Sequence, residues 1–179
     1  FNYPETTPGA GAGLFQARNG ARVFVAQVMG RLFMEPLDDP FAAADICLGN
    51  VNLTEDADCI VLDIHAEATS EKMAMGHYLD GKVTMVVGTH SHIPTADAQV
   101  LPGGTAYQTD VGMCGDYDSV IGMKKTAAIN KFIKKLPGER LEPAEGVGTV
   151  CAVLLETDDA TGLARGIVPV RAGGRLRET

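Results

Sequence analysis

Val83-Thr84-Met85-Val86-Val87-Gly88-Thr89-His90-Ser91-His92 is the stretch on which the reading of this chain turns. Its first five residues are an apolar run, the signal of a buried strand. The run ends on Gly88 and opens into two histidines one residue apart. Upstream, Cys59-Ile60-Val61-Leu62 is a second strand-like run, with Asp63-Ile64-His65 at its end. Three of the four histidines therefore fall at or just past the ends of two strands. In open α/β sheets, ligands bind in the crevice beyond the carboxyl ends of the strands. The pattern points to a metal centre and a phosphate-type active site.

Working outward, residues 21–29 read as a strand and 30–39 as a loop. Asp39 can cap a helix with Pro40 at its first position, continuing to about Val51. A helix opens at Thr69-Ser70-Glu71 and stops at Asp80-Gly81, and a short strand covers 105–109. Residues 124–136 form an amphipathic helix with Ile129, Phe132, Ile133 and Leu136 on one stripe, stopped by Pro137-Gly138. Residues 148–156 and 163–170 pair as a hairpin across Asp158-Asp159-Ala160-Thr161-Gly162. Residues 2–13 read as a loop, and the Gly- and Arg-rich tail as frayed. Alternating strands and helices followed by a β-rich end argue for α/β or α+β layering in a single domain over 1–179.

The 179 residues carry a net charge of -8, which disfavours non-specific contact with DNA or RNA backbones. A small phosphorylated substrate is compatible with that charge, because a bound metal reverses the local field. No apolar run approaches membrane-spanning length and no leader pattern is present, so a cytoplasmic protein is expected. Cys47, Cys59, Cys114 and Cys151 are widely spaced without a CxxC and are expected to be reduced and mostly buried.

Neutral imidazole is a common donor to transition metals, and a third histidine from an adjacent strand end completes a His-x-His centre. His65, His90 and His92 are the candidate ligands. His77 falls late in a helix, where an imidazolium suits the C-terminal dipole, and is read as structural. Asp63 either supports a ligating histidine from behind or is a plain strand-end carboxylate. Asp97 and Asp110 are outer supports or loop caps, and Glu67 and Glu71 are acids at a helix start. Three histidines suffice for one ion, whereas a two-metal hydrolase needs a bridging carboxylate and further ligands. No P-loop, GxSxG or GxGxxG is present.

A separated histidine followed by Gly-x-His-x-His resembles the C-terminal ligand pattern of calcineurin-like metallophosphoesterases. The likeness is closer to their YmdB-type bacterial branch. It is carried by Leu32-Phe33-Met34-Glu35-Pro36-Leu37-Asp38-Asp39-Pro40-Phe41, by Asp63-Ile64-His65-Ala66-Glu67-Ala68-Thr69-Ser70-Glu71-Lys72 and by Tyr78-Leu79-Asp80-Gly81. It continues through Val87 to His92, Pro94 to Asp97, Leu101 to Tyr107, Thr109 to Met113 and Asp118 to Met123. The resemblance implies a layered α/β/β/α sandwich and a dinuclear centre at the sheet edge. It implies hydrolysis of phosphodiesters, 2',3'-cyclic nucleotides foremost, by a metal-bound hydroxide. His65 and His90 would bind one ion and His92 the other, iron or manganese before zinc. Relatives of this type imply a homo-oligomer. The family's Asp, its bridging Glu with a neighbouring Asn, and its Asn-His, which includes the general acid, find no match. The chain therefore reads as a C-terminal portion missing the first strands, with about half the site and at best weak activity. No catalytic residue beyond the metal ligands is assigned.

Two other readings compete with the enzyme. One is a mononuclear metal-binding module without turnover; the other is a structural protein whose histidines are incidental. Metal content separates all three.

Overall fold

The register of three parallel strands brings the ends of the two histidine-bearing segments together. In the computed structural model, which describes residues 1–135 and 138–179, the elements run β1 (Ala12–Gln16), β2 (Arg22–Met29), α1 (Pro40–Leu48), β3 (Cys59–His65), α2 (Thr69–Tyr78), β4 (Met85–Thr89), β5 (Gln99–Val100), β6 (Ala106–Gln108), α3 (Lys125–Lys134), β7 (Val150–Thr157) and β8 (Ala164–Ala172). Six strands form one sheet in the order β1-β2-β3-β4-β6-β5, and β7-β8 form a second. β2, β3, β4 and β6 are mutually parallel, while β1 and β5 add antiparallel edges.

Strand alternation sorts the side chains. Phe24, Ala26 and Val28 of β2 and Ile60, Leu62 and Ile64 of β3 bury one face against Ala43, Ala44 and Cys47 of α1 and Met75 of α2. Each fully buried Ile or Leu here stabilises the fold by about 2 kcal/mol. The other face carries Val61, Met85 and Val87, which pack with Val153, Leu155, Ala164 and Ile167 of the hairpin. The layers are thus helices, six-stranded sheet and two-stranded sheet. β3 and β4 pair Asp63 with Val87 and His65 with Thr89, so Asp63, His65 and Thr89 share the face turned towards the second sheet.

Local sequence explains the boundaries. The Asp39 carboxylate accepts from Phe41 N at 2.8 Å and Ala42 N at 3.3 Å, capping α1 as expected. At the hairpin turn the Asp158 side chain accepts from Ala160 N at 2.8 Å, and Gly162 takes φ +69. In β4, a Cβ on Gly88 would overlap the Thr109 carbonyl oxygen and crowd the Lys72 stem. Only glycine lets these segments approach so closely.

Several expectations need correction. β1 lies partly within the segment read as a loop: its only apolar pair, Leu14-Phe15, is exposed at a sheet edge, so it carries no burial signal. The two-residue β5 is too short to show a period. The amphipathic helix at α3 is present, and on its stripe Ile129, Phe132 and Ile133 are exposed, with only Ala128 of the helix buried. Periodicity reports an amphipathic helix, not what covers it. Leu136 and Pro137, the last stripe residue and the start of the stop, lie outside the described residues. The tail is tied down rather than frayed: Arg175 N donates to Thr149 Oγ1 at 3.1 Å, and its guanidinium pairs with Asp118. All four cysteines are free thiols, with Cys47 and Cys151 buried and Cys114 exposed.

Candidate metal centre

β2, β3 and β4 deliver their carboxyl ends side by side, and the polar groups there form one chain of hydrogen bonds. Gln27 Nε2 donates to Asp63 Oδ2 at 2.5 Å, and Thr89 Oγ1 donates to Asp63 Oδ1 at 2.9 Å. The Thr89 hydroxyl lies 2.9 Å from His65 Nδ1. Its single proton is committed to the carboxylate, so it accepts from His65 Nδ1–H. That assignment leaves His65 Nε2 bare, with its lone pair directed out of the sheet. Burial lowers the His65 pKa, and neighbouring His90 and Lys72 add to the shift against the opposing pull of Asp63 and Asp110. The neutral, lone-pair-bearing ring is the form favoured at neutral pH.

His90 Nδ1 lies 3.1 Å from His65 Nε2, with the rings edge to face at 88° and centroids 4.9 Å apart. On its other side His90 Nε2 lies 2.9 Å from Glu67 Oε2. Both ring nitrogens of His90 thus have a polar partner, His65 on one side and Glu67 on the other. His92 Nδ1–H donates to the Ile121 carbonyl at 2.9 Å, which leaves His92 Nε2 bare as well. No hydrogen bond or ring contact among the described residues joins His92 to the other pair.

The histidine loop is strained and held in place. His90 has φ +113 and His92 φ +65, values rare for residues with a side chain. Asp110 fixes the loop: its Oδ2 accepts from Ser91 N at 2.8 Å, and its Oδ1 from Gly112 N at 2.9 Å. Asp110 Oδ2 also pairs with Lys72 Nζ at 3.1 Å, both side chains being 1% exposed. Asp110 therefore ties the loop that carries His90 and His92 to α2. Asp97 is a loop tether, accepting from Thr109 Oγ1 at 2.6 Å. His77 stands exposed in the last turn of α2, away from this network.

Several participants were not singled out from sequence, Gln27 and Thr89 of the hydrogen-bond chain among them. Glu67 and Glu71 read as ordinary acids at a helix start. In the structure, Glu67 faces His90, and Glu71 accepts from Arg31 N at 3.0 Å and Leu32 N at 3.2 Å. Lys72 sits in the middle of a polar stretch of α2, and nothing in its spacing marks it as buried.

A transition metal suits what is present. Two nitrogens 3.1 Å apart can both reach one ion with bonds of about 2.1 Å, and the carboxylate-backed hydroxyl behind His65 is the usual support of a ligating imidazole. Among the described residues no three His, Cys, Asp or Glu side chains close into a complete cage. The residues of this chain offer part of a donor set. Thr89→Val keeps the side-chain shape and deletes the acceptor that orients His65. It is expected to weaken metal affinity about 10- to 100-fold, read by titrating the metal against a chromophoric chelator. An unchanged affinity would show that the Thr89 hydroxyl is not what orients His65.

A layered α/β fold with a parallel core sheet, and polar ligands gathered at its carboxyl edge, is of the metallophosphoesterase type. The chain belongs to the family described as YmdB-like protein, whose model matches residues 1–170. It is 47% identical over 160 residues, 89% of the chain, to a 2',3'-cyclic-nucleotide 2'-phosphodiesterase of Bacillus subtilis. A crystal structure of a hypothetical protein from Thermus thermophilus superposes with TM-score 0.86 at 44% identity over 96% of the chain. That of a novel phosphatase from Mycoplasma pneumoniae gives 0.80 at 33% identity over 92%. The chain spans 59% of the Bacillus subtilis protein, and 65% and 57% of the two crystallised chains.

Proposed function

We propose that this chain supplies part of the centre of a metal-dependent phosphodiesterase acting on nucleoside 2',3'-cyclic phosphates. The observation that carries the reading is the His65 Nε2–His90 Nδ1 pair, 3.1 Å apart at the carboxyl edge of the parallel strands. The substrate class comes from the Bacillus subtilis relative. Transition-metal ions, iron or manganese before zinc, would supply Lewis acidity and an activated water at neutral pH. His65 and His90 would hold one ion, and His92 Nε2 is the donor left for a second.

The chain's own residues then have defined tasks. Asp63 and Thr89 keep the His65 proton on Nδ1, so Nε2 stays a donor to metal. Glu67 sets a carboxylate 2.9 Å from His90 Nε2, which would offset part of the charge of a bound cation. Asp110 holds the strained loop that presents His90 and His92. A cleft of about 290 Å³ beside His65, lined in part by Asn2, Tyr3, Gln27 and Met29, gives a small phosphorylated substrate room. We read the protein as cytoplasmic, homo-oligomeric and without affinity for DNA. No helix among the described residues is long and apolar enough to cross a membrane.

The test is hydrolysis of adenosine 2',3'-cyclic phosphate by the purified protein, before and after chelation and after return of Mn2+ or Fe2+. Chelator-sensitive turnover that metal restores supports the reading. Stoichiometric metal with no turnover on any cyclic nucleotide would favour a mononuclear binding module, which the convergence of only His65 and His90 also favours.

A further inference from the structure

We propose that the Phe33 ring is the platform on which the base of a nucleoside cyclic phosphate stacks, an inference that rests on the phosphodiesterase reading above. Phe33 is 82% exposed and has φ +65. An aromatic residue in the left-handed region is a backbone outlier. A ring left in water also forgoes the stabilisation of burial. No aromatic pair or cation–π contact among the described residues engages this ring. Four of the six described non-glycine residues with positive φ are Phe33, His90, His92 and Ile121, whose carbonyl holds His92. Strain of this kind gathers at functional sites. Phe33 belongs to the same set as the candidate ligands.

The loop that carries Phe33 is anchored to the metal centre on both sides. Before it, Gly30 N donates to the His65 carbonyl at 3.0 Å, and the Glu71 carboxylate takes Arg31 N and Leu32 N. After it, Met34 Sδ accepts from Glu67 N at 3.2 Å, and the Glu67 carboxylate faces His90 Nε2. Arg31 adds a 2.7 Å ion pair to Asp39. The loop that carries the ring is therefore tied on both sides to residues of the site. A nucleoside whose phosphate sits at His65 and His90 would reach this loop from the site. The side chain offers only an apolar π-face, and every base has a π-face to match it. The sugar hydroxyls and the phosphate would gain nothing from it, which leaves the base. Purines, with the larger face, should gain more than pyrimidines.

The purified protein and its Phe33→Ala and Phe33→Trp variants would be compared on adenosine and uridine 2',3'-cyclic phosphates. The control substrate is the base-free methyl riboside 2',3'-cyclic phosphate. Phe33→Ala is expected to raise KM for the adenosine substrate about tenfold with kcat within about twofold. A smaller rise is expected for uridine and none for the base-free substrate, and Phe33→Trp restores the wild-type KM. An equal loss on all three substrates, or an unchanged KM for adenosine, would overturn the proposal. So would an altered assembly mass with unaltered kinetics, since the ring would then be a contact between copies. Calorimetric binding of adenosine 3'-phosphate is the readout independent of turnover. If the wild-type protein hydrolyses nothing yet binds this nucleotide about tenfold more tightly than Phe33→Ala, the catalytic reading fails and the stacking stands. Equal binding by the two proteins removes the stacking.

Discussion

His65→Ala and His90→Ala are each expected to lower bound transition metal per chain, and to cut the proposed phosphodiesterase activity by more than about 100-fold. That is the upper end of what loss of an outer support alone costs. The two rings meet at 3.1 Å, so removing either leaves the other without its partner at the ion. Elemental analysis after purification without chelators, beside the cyclic-nucleotide assay, gives both readouts. His77→Ala is the matched control: the ring is exposed in the last turn of α2 and contacts none of these groups, so metal and activity should be unchanged. His92→Ala separates one ion from two. If His92 serves a second ion, its loss removes about half the metal; if it serves none, the content holds. Full metal content in His65→Ala and His90→Ala would mean that the pair is an ordinary imidazole contact.

The parts of this site legible in the sequence are those that follow strand periodicity. Apolar runs at 59–62 and 83–87 located β3 and β4 to within three residues, and a histidine at or just past such a run falls at a carboxyl edge. Asp63 and His65 are two apart, so the pleat alone puts them on one face. What the sequence did not disclose depends on register and on long-range pairing. Nothing local says that Thr89 stands beside His65, because that contact is fixed by how β3 and β4 align. Glu67 and Glu71 carry the composition of any helix start, and their partners lie in loops 23 and 40 residues away in sequence. The α3 stripe shows the converse limit. Ile129, Phe132 and Ile133 have the spacing of a core face and are exposed among the described residues.

Lys72→Met is expected to be the most destabilising single change away from the candidate ligands, costing about 3–5 kcal/mol. Lys72 and Asp110 are both 1% exposed and joined at 3.1 Å. Taking two charges out of water is expensive, and their attraction roughly repays it only while both are present. Methionine fills the space of the lysine stem, so the loss is the Asp110 carboxylate left buried without its counter-charge, not a cavity. The effect should reach the site, because the same carboxylate holds Ser91 N at 2.8 Å between two residues at positive φ. Each such backbone costs about 1–3 kcal/mol and persists only while its surroundings enforce it. Amide exchange at Ser91 should therefore accelerate before global unfolding does. Adding Asp110→Asn to Lys72→Met removes the orphaned charge, keeps one amide acceptor, and should recover part of the lost stability. Urea unfolding of the two variants decides it. A Lys72→Met protein within about 1 kcal/mol of wild type would show that water reaches Asp110, and that the loop presenting His90 and His92 is held by something other than this pair.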